Sequence, residues 1–185
     1  MRLFVALEIP SETRDALAAL IEQLRIKCPS ARWVRPDAMH ITLKFIGHTA
    51  DENLAPISAA LAKIRSPLPI NMQFRGLGFF PNERRPSVFW CGVESSPNGA
   101  AVTADLDRAL TPLGIEPEKR PFTPHLTLAR FKEGNGRGTA AIANAAREMQ
   151  AKHFGSLLTS EFHLFQSKLT RSGAEYTLLQ TFRFA

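Results

Sequence analysis

The sequence predicts a mixed α+β fold, and three features of the 185-residue chain indicate it. Short apolar runs typical of strands alternate with segments that carry apolar residues at helical spacing. Some predicted strands follow one another directly, whereas others are separated by a helix, which favours α+β over a doubly wound parallel sheet. Hydrophobic residues make up 44% and charged residues 22%, a balance typical of a chain with a buried core. We therefore expect residues 1–185 to form a single domain, with no linker inside it.

The first 30 residues predict a strand and then a helix. The apolar run from Leu3 to Ile9 indicates a strand, which Pro10 closes. Ser11 suits the N-cap of a helix that runs from Glu12 to about Lys27. The helix is amphipathic because its apolar residues recur three and four positions apart. These residues are Leu17, Leu20, Ile21 and Leu24.

The next segment predicts extended chain, a strand and a second helix. Trp33 and Val34 indicate a short extended piece. His40 to Ile46 reads as a strand that ends at Gly47. A helix then covers about Asp51 to Arg65.

The middle of the chain predicts two or three strands over Ile70 to Val93, interrupted at Pro81-Asn82 and at Pro86. The segment from Ser87 to Val93 is the most strand-like, because it is rich in aromatic and β-branched residues. A third helix runs from Ala100 to Leu113, where Gly114 ends it.

The last third predicts three strands and a helix. His125 to Phe131 indicates a strand, and three glycines after it indicate a flexible loop: Gly134, Gly136 and Gly138. An alanine-rich helix covers Ala140 to Lys152. Two strands, Leu157 to Leu169 and Glu175 to Phe184, then flank a turn at Arg171-Ser172-Gly173.

The composition favours a polyanionic partner and an intracellular location. The net charge is +6, from 23 basic and 17 acidic residues, which suits RNA or phosphate esters. The first nine residues lack the pattern of a signal peptide, and no apolar stretch is long enough to span a bilayer. We expect a cytoplasmic protein without membrane contact, in which Cys28 and Cys91 are reduced thiols. Cys91 lies in an apolar strand, which favours a core position over a nucleophilic role.

One four-residue pattern occurs twice and is the strongest functional signal. His40-Ile41-Thr42-Leu43 and His125-Leu126-Thr127-Leu128 have the same His-x-Thr-Leu order. Because side chains alternate faces along a strand, each unit presents an imidazole and a hydroxyl on one face and two aliphatic residues on the other. If the two strands lie close together, two histidines and two threonines meet in a polar cleft.

Such a cleft suits the hydrolysis of a cyclic phosphodiester. The reaction needs a base for the attacking water and an acid for the leaving oxygen, on opposite sides of phosphorus. Histidine serves in either role near neutral pH, and the residues alone do not assign the roles to His40 and His125. The hydroxyls of Thr42 and Thr127 can donate to the phosphate oxygens. Arg130 suits the phosphate too, although in a regular strand it faces away from His125 and needs a bulge or the strand end to reach the cleft.

Other candidate residues carry weaker signals. Neither tetrad has a second metal ligand at close spacing, so we expect no metal and no cofactor. The remaining histidines are not followed by the Thr-Leu of the motif, and we expect them to be structural or solvated: His48, His153 and His163. If side chains alternate strictly along the strand, Phe45 faces away from His40, which predicts that it packs in the core. The alternative is that Phe45 or Trp90 stacks on an RNA base. Arg84 and Arg85 indicate an exposed turn that could also contact an RNA backbone.

The duplicated tetrad resembles the 2H phosphoesterase superfamily, and the chain is most similar to its RNA 2′,3′-cyclic phosphodiesterase branch, also named 2′-5′ RNA ligase. The resemblance covers nearly the whole chain. It includes the opening strand Arg2–Leu7, the segments His40–Gly47 and Pro124–Arg130, the segment Gly76–Asn82 and the Trp90 strand. The resemblance implies a two-lobed α+β fold, in which two antiparallel sheets flank a central cleft and helices lie outside.

The resemblance also implies the activity: metal-independent hydrolysis of RNA 2′,3′-cyclic phosphate ends to 2′-phosphate, on RNA such as tRNA fragments. In this branch the first histidine is the proton donor and the second the acceptor, which assigns His40 and His125 respectively, with Thr42 and Thr127 on the phosphate. Reversible 2′-5′ ligation is a side activity of the family. The alternatives are a phosphodiesterase for another cyclic or 2′-5′-linked nucleotide, or a non-catalytic RNA-binding module. We expect a monomer.

Overall fold

Nine strands and four α-helices make up the part of the chain that the computed structural model describes, residues 1–132, 138–170 and 173–184. The strands are β1 (Arg2–Glu8), β2 (Arg32–Trp33), β3 (His40–His48), β4 (Ile70–Phe80), β5 (Val88–Ser95), β6 (His125–Arg130), β7 (His153–Thr159), β8 (Glu161–Thr170) and β9 (Gly173–Arg183). The helices are α1 (Ser11–Lys27), α2 (Leu54–Leu61), α3 (Pro97–Leu110) and α4 (Thr139–Glu148).

The strands form two antiparallel sheets. The first sheet has the order β3-β1-β8-β9, and the second has the order β2-β6-β5-β4-β7. The two His-x-Thr-Leu segments lie in different sheets, on β3 and β6, and these two strands contact each other. The predicted α+β fold with two antiparallel sheets is confirmed.

One large apolar core joins the two sheets. It takes Leu3, Val5 and Leu7 from β1, and Phe74 and Phe89 from the second sheet, all buried. Strand β1 lies between β3 and β8, and the residues that alternate with these three, Phe4 and Ala6, are buried on the opposite face of the sheet. That face of the first sheet carries a separate hydrophobic cluster: Phe4, Ala6 and Phe165, with Tyr176 packed against them.

The predicted strand from Leu157 to Leu169 is wrong, because the chain leaves one sheet for the other within it. β7 pairs with β4 in the second sheet, and β8 pairs with β1 and β9 in the first. The break falls at Ser160, between β7 and β8. The apolar pattern continues across the break because both strands bury side chains in the shared core, so hydrophobicity alone does not reveal it.

Several helix ends differ from the predicted ones. Ser11 is the first helical residue and Pro10 occupies the N-cap position, without a side-chain cap. The helix predicted over residues 51–65 is shorter: a 3₁₀ turn covers Asp51–Asn53 and α2 ends at Leu61. Helix α3 begins at Pro97, because proline is tolerated in the first turn of a helix.

Two predicted loops fall largely outside the described residues: Gly134 and Gly136 of the glycine loop, and Arg171-Ser172 of the last turn. Within the described ranges, no helix is both long and apolar enough to cross a bilayer.

Candidate active site

The two histidines of the repeated motif have the same local geometry. Nδ1 of His40 lies 2.9 Å from the carbonyl oxygen of Ala38, and Nδ1 of His125 lies 2.9 Å from that of Thr123. In both cases the partner is the carbonyl two residues earlier, just before the strand begins. A carbonyl oxygen only accepts, so Nδ1 carries the proton and donates it. Each neutral ring therefore has its acceptor lone pair on Nε2.

An aromatic ring meets each imidazole edge-on. The ring centroids of His40 and Tyr176 are 4.9 Å apart at an interplanar angle of 88°. Those of His125 and Phe80 are 4.9 Å apart at 89°. Phe4 lies 4.7 Å from His40, so that ring has a second aromatic neighbour. The backbone hydrogen bond and the edge-on ring together fix the orientation of each imidazole.

Thr42 and Thr127 share a face with their histidines, as the alternation predicted. Thr42 is paired with Ala6 and His40 with Glu8, two positions apart on the same face of β1. Thr127 is paired with Trp90 and His125 with Gly92 in the same way. Within residues 1–132, 138–170 and 173–184 neither threonine hydroxyl has a hydrogen-bond partner, so both are available to a ligand.

A β-bulge at the same motif position alters the alternation in both strands. In β3 the register shifts so that Leu43 is extra, and in β6 Leu128 is extra. The bulge turns Arg130, paired with Val88, onto the face of Thr127 and Trp90. The bulge that Arg130 needs in order to reach the cleft is therefore present, and Arg130 has no ion-pair partner among the described residues.

The corresponding bulge in β3 makes the prediction for Phe45 wrong. Phe45 is paired with Phe4, so it lies on the face of His40 and Thr42 and not in the core. Its side chain is 60% exposed, and its ring lies 6.4 Å from that of Phe4. The strict period-two count failed because a bulge inserts one residue. Lys44 beside it is buried, with Nζ bonded to the carbonyl oxygen of Glu116 and paired with Asp107.

The electrostatics of the cleft hold free His40 neutral. Burial is the main cause and lowers the pKa of His40 to about 4, because it disfavours the imidazolium. The hydrogen bond to Ala38 opposes this shift, and the positive charge of Arg130 adds to it. Burial also raises the pKa of Tyr176, with smaller opposite effects from Arg130 and Arg2. Arg130, on β6, therefore lies close enough to influence the charge of two residues of the first sheet.

A small cavity of about 180 Å³ opens beside His40, bounded by Phe4, Tyr176, Glu8 and Asp37.

The sequence did not predict that Phe4, Tyr176 and Phe80 lie at the site. Phe4 is hidden in an apolar strand, and the other two approach the histidines from distant strands, so no local pattern marks them. The one available signal is that Tyr176 is the single tyrosine of the chain.

The weaker candidates occupy varied positions. The ring of Trp90 covers Gly78, where any side chain would collide with it, and its Nε1 is buried without a partner among the described residues. Arg84 and Arg85 are exposed, in a turn in which their backbone N–H groups donate to Asn82 Oδ1. This turn follows Phe80, at the His125 side of the cleft.

The remaining histidines and Cys91 are as the sequence predicted. His163 is buried and bonded to Thr181, whereas His153 is exposed. Burial raises the pKa of Cys91 to about 12, which makes it a core thiol. Over the described part of the chain, no three residues of the His, Cys, Asp and Glu types are grouped so as to hold a metal ion.

Comparison with known proteins gives a consistent result. The model of the family described as "LigT like Phosphoesterase" matches residues 7–90 and 94–176. The chain is 32% identical over 184 residues to the RNA 2′,3′-cyclic phosphodiesterase of Methanothermobacter thermautotrophicus, covering 99% of this chain and 98% of that one. It is 40% identical over 147 residues to the protein of the same name from Aeropyrum pernix, covering 79% and 82% of the two chains.

Solved structures show the same fold. The crystal structure of TT0787 from Thermus thermophilus matches with a TM-score of 0.82 and 30% identity, covering 100% of this chain and 98% of that one. The crystal structure of E. coli LigT complexed with 3′-AMP matches with a TM-score of 0.75 and 26% identity, covering 99% and 97%.

Proposed function

Because the chain belongs to the LigT-like phosphoesterases, we propose that it hydrolyses RNA 2′,3′-cyclic phosphate ends to 2′-phosphate ends by metal-independent acid–base catalysis. The observation that carries the proposal is the pair of equivalent imidazoles, each with Nδ1–H fixed on a backbone carbonyl and Nε2 left for a proton transfer. His40 is the proton donor and His125 the acceptor.

The proposed reaction gives each of these groups one role. Nε2 of His125 takes a proton from water as the water oxygen attacks phosphorus. The bond from phosphorus to the 3′-oxygen breaks, and Nε2 of His40 gives that oxygen its proton. The hydroxyls of Thr42 and Thr127 and the guanidinium of Arg130 donate to the non-bridging oxygens, where negative charge is held in the transition state. The 2′-phosphate remains on the ribose.

The donor role of His40 requires the substrate to change its protonation state. With a pKa of about 4, free His40 is neutral at pH 7. The cyclic phosphate carries one negative charge, which favours the imidazolium and raises the pKa of a histidine beside it. Two unit charges 4 Å apart interact by about 4 kcal/mol at an effective dielectric constant of 20, enough for a shift of about 3 pKa units. Substrate binding thus charges the acid that the reaction needs.

We expect NMR titration to detect this change. In the free protein the His40 ring protons should titrate with a pKa of about 4. With saturating 2′-AMP, the pKa of His40 should rise by about 2 units or more, because the phosphate stabilises the imidazolium. Adenosine, which lacks the phosphate, is the matched control and should leave the value near 4. The same pKa with both ligands would contradict the donor role.

The relatives and the charge of the chain support RNA as the substrate. Both relatives described above are named RNA 2′,3′-cyclic phosphodiesterase, and the net charge of +6 attracts a polyanion. E. coli LigT was solved with 3′-AMP, a nucleoside phosphate. The proposal includes tRNA fragments as substrates, reversible 2′-5′ ligation as a side activity, and action as a cytoplasmic monomer without a cofactor.

A substrate panel tests the proposed substrate class. Turnover should be measured for an RNA oligomer with a 2′,3′-cyclic phosphate end, adenosine 2′,3′-cyclic phosphate, a cyclic phosphate of ADP-ribose and a 2′-5′-linked dinucleotide. We expect the highest kcat/KM for the RNA end. A higher kcat/KM for one of the others would assign the site to that phosphodiester, and binding of the RNA without turnover would indicate a non-catalytic module.

A further inference from the structure

A second cavity lies along β3 from the catalytic histidine. It has a volume of about 470 Å³ and begins at the exposed ring of Phe45. Leu113 and Glu116 also line it, and His48 and Asn53 add polar groups. We call this cavity the Phe45 pocket. An accessible aromatic face beside polar side chains suits a nucleobase, which offers a π-face and polar edges.

The Phe45 pocket is connected to the catalytic site by aromatic rings. The ring of Phe4 lies 4.7 Å from that of His40 and 6.4 Å from that of Phe45. Phe4 is buried, so it separates the two rings without offering a free face of its own. Phe45 is therefore farther than Phe4 from a phosphate bound at His40, by one aromatic ring.

The walls of the pocket are held in place by an ion pair whose lysine is buried. Lys44, the neighbour of Phe45, is 5% exposed and donates to the carbonyl oxygen of Glu116 at 2.6 Å. Asp107 pairs with Lys44 and also accepts the backbone N–H of Glu118 at 3.3 Å. The loop that faces Phe45 is thus tied to the same strand that carries Phe45, and the pocket is formed before a ligand binds.

We propose that the Phe45 pocket binds the nucleotide that precedes the cyclic-phosphate nucleotide of the RNA, with its base stacked on Phe45. This inference rests on the proposed function, since it places the RNA relative to the phosphate at His40. The terminal ribose is attached to that phosphate, and the proposal assigns the more distant ring of Phe45, beyond Phe4, to the base of the next nucleotide. The pocket makes the enzyme prefer an oligonucleotide end over a free cyclic mononucleotide.

The test compares Phe45→Ala with the unaltered protein on two substrates, a dinucleotide with a 2′,3′-cyclic phosphate end and adenosine 2′,3′-cyclic phosphate. The selectivity, the ratio of kcat/KM for the dinucleotide to that for the mononucleotide, should fall about 5- to 100-fold, the value of one stacked base. Most of the change should appear as a higher KM for the dinucleotide. Phe45→Trp should keep the selectivity, because it keeps an aromatic face.

Leu158→Ala is the matched control. Leu158 is a 71% exposed apolar side chain on the edge strand β7, so its removal tests the general effect of losing surface apolarity. An unchanged selectivity in Phe45→Ala, or an equal loss for both substrates, would overturn the proposed pocket.

Failure of the proposed function would be recognised separately. It would appear as no turnover of either substrate by the unaltered protein. The pocket is then tested by binding: Phe45→Ala should lose about 5- to 100-fold in affinity for a 3′-phosphorylated dinucleotide relative to 3′-AMP. An unchanged relative affinity would overturn it.

Discussion

Replacing His40 or His125 by alanine should lower kcat by a factor on the order of 10²–10⁴, the usual contribution of a positioned acid or base. Both imidazoles have Nδ1–H fixed on a backbone carbonyl, which leaves Nε2 for a proton transfer, so each substitution removes one of the two proposed transfers. The measurement is steady-state turnover of an RNA with a 2′,3′-cyclic phosphate end.

The double variant gives a sharper result than either single one. If the two histidines act as a unit, His40→Ala/His125→Ala should be about as slow as the slower single variant, because removal of one partner already disables the pathway. His153→Ala is the control, since His153 is exposed on β7, where it is bonded to Gln73, and should keep normal turnover. A single histidine variant with normal turnover would contradict the mechanism.

Removing Asp107 should destabilise the protein by about 3–5 kcal/mol, because it leaves the charge of Lys44 buried without its partner. Lys44 is 5% exposed, and its remaining bond to the Glu116 carbonyl does not neutralise its charge. The free energy of unfolding should be measured by urea denaturation of Asp107→Ala. A decrease of less than about 1 kcal/mol would contradict the importance of the buried pair.

Two further variants separate the charge effect from simple loss of packing. Lys44→Met keeps the length of the side chain and removes the buried charge, so it should cost less than Asp107→Ala. The double variant Lys44→Met/Asp107→Ala should be more stable than Asp107→Ala alone, because no unpaired charge remains. Additive losses would show that the two residues act independently.

The shared faces of the candidate site residues were the most predictable part of the molecule. The His-x-Thr-Leu order is local, and strand alternation alone puts His40 with Thr42 and His125 with Thr127, as the paired register shows. The α+β class was likewise predictable, because helical and strand periodicities differ within short windows.

The parts that could not be predicted depend on pairing between distant segments. The bulges at Leu43 and Leu128 arise from the register with β1 and β5, so the sequence of each strand does not reveal that Phe45 and Arg130 turn into the cleft. The aromatic contacts of Tyr176 and Phe80 with the histidines come from β9 and β4. No window of sequence contains both members of such a contact.

The two bulges have a consequence for specificity. Each motif presents a histidine, a threonine and a third side chain to the cleft, and only the third differs: Phe45 on β3 and Arg130 on β6. Under the proposed function, the site is therefore nearly symmetric in its proton-transfer groups and asymmetric in its binding groups. We infer that this asymmetry orients the RNA, with the cyclic phosphate toward Arg130 and the base of the preceding nucleotide toward Phe45.

The most direct test of the central claim identifies the product formed from an RNA oligomer with a 2′,3′-cyclic phosphate end, incubated with the protein in the presence of EDTA. We expect a mass gain of one water and a phosphomonoester that resists a 3′-specific phosphatase, which identifies it as a 2′-phosphate. A product sensitive to the 3′-specific phosphatase would contradict the proposed leaving group. Recovery of the intact cyclic phosphate, both with EDTA and after divalent metal is added back, would contradict the proposed reaction. Turnover only after metal is added back would contradict its metal independence.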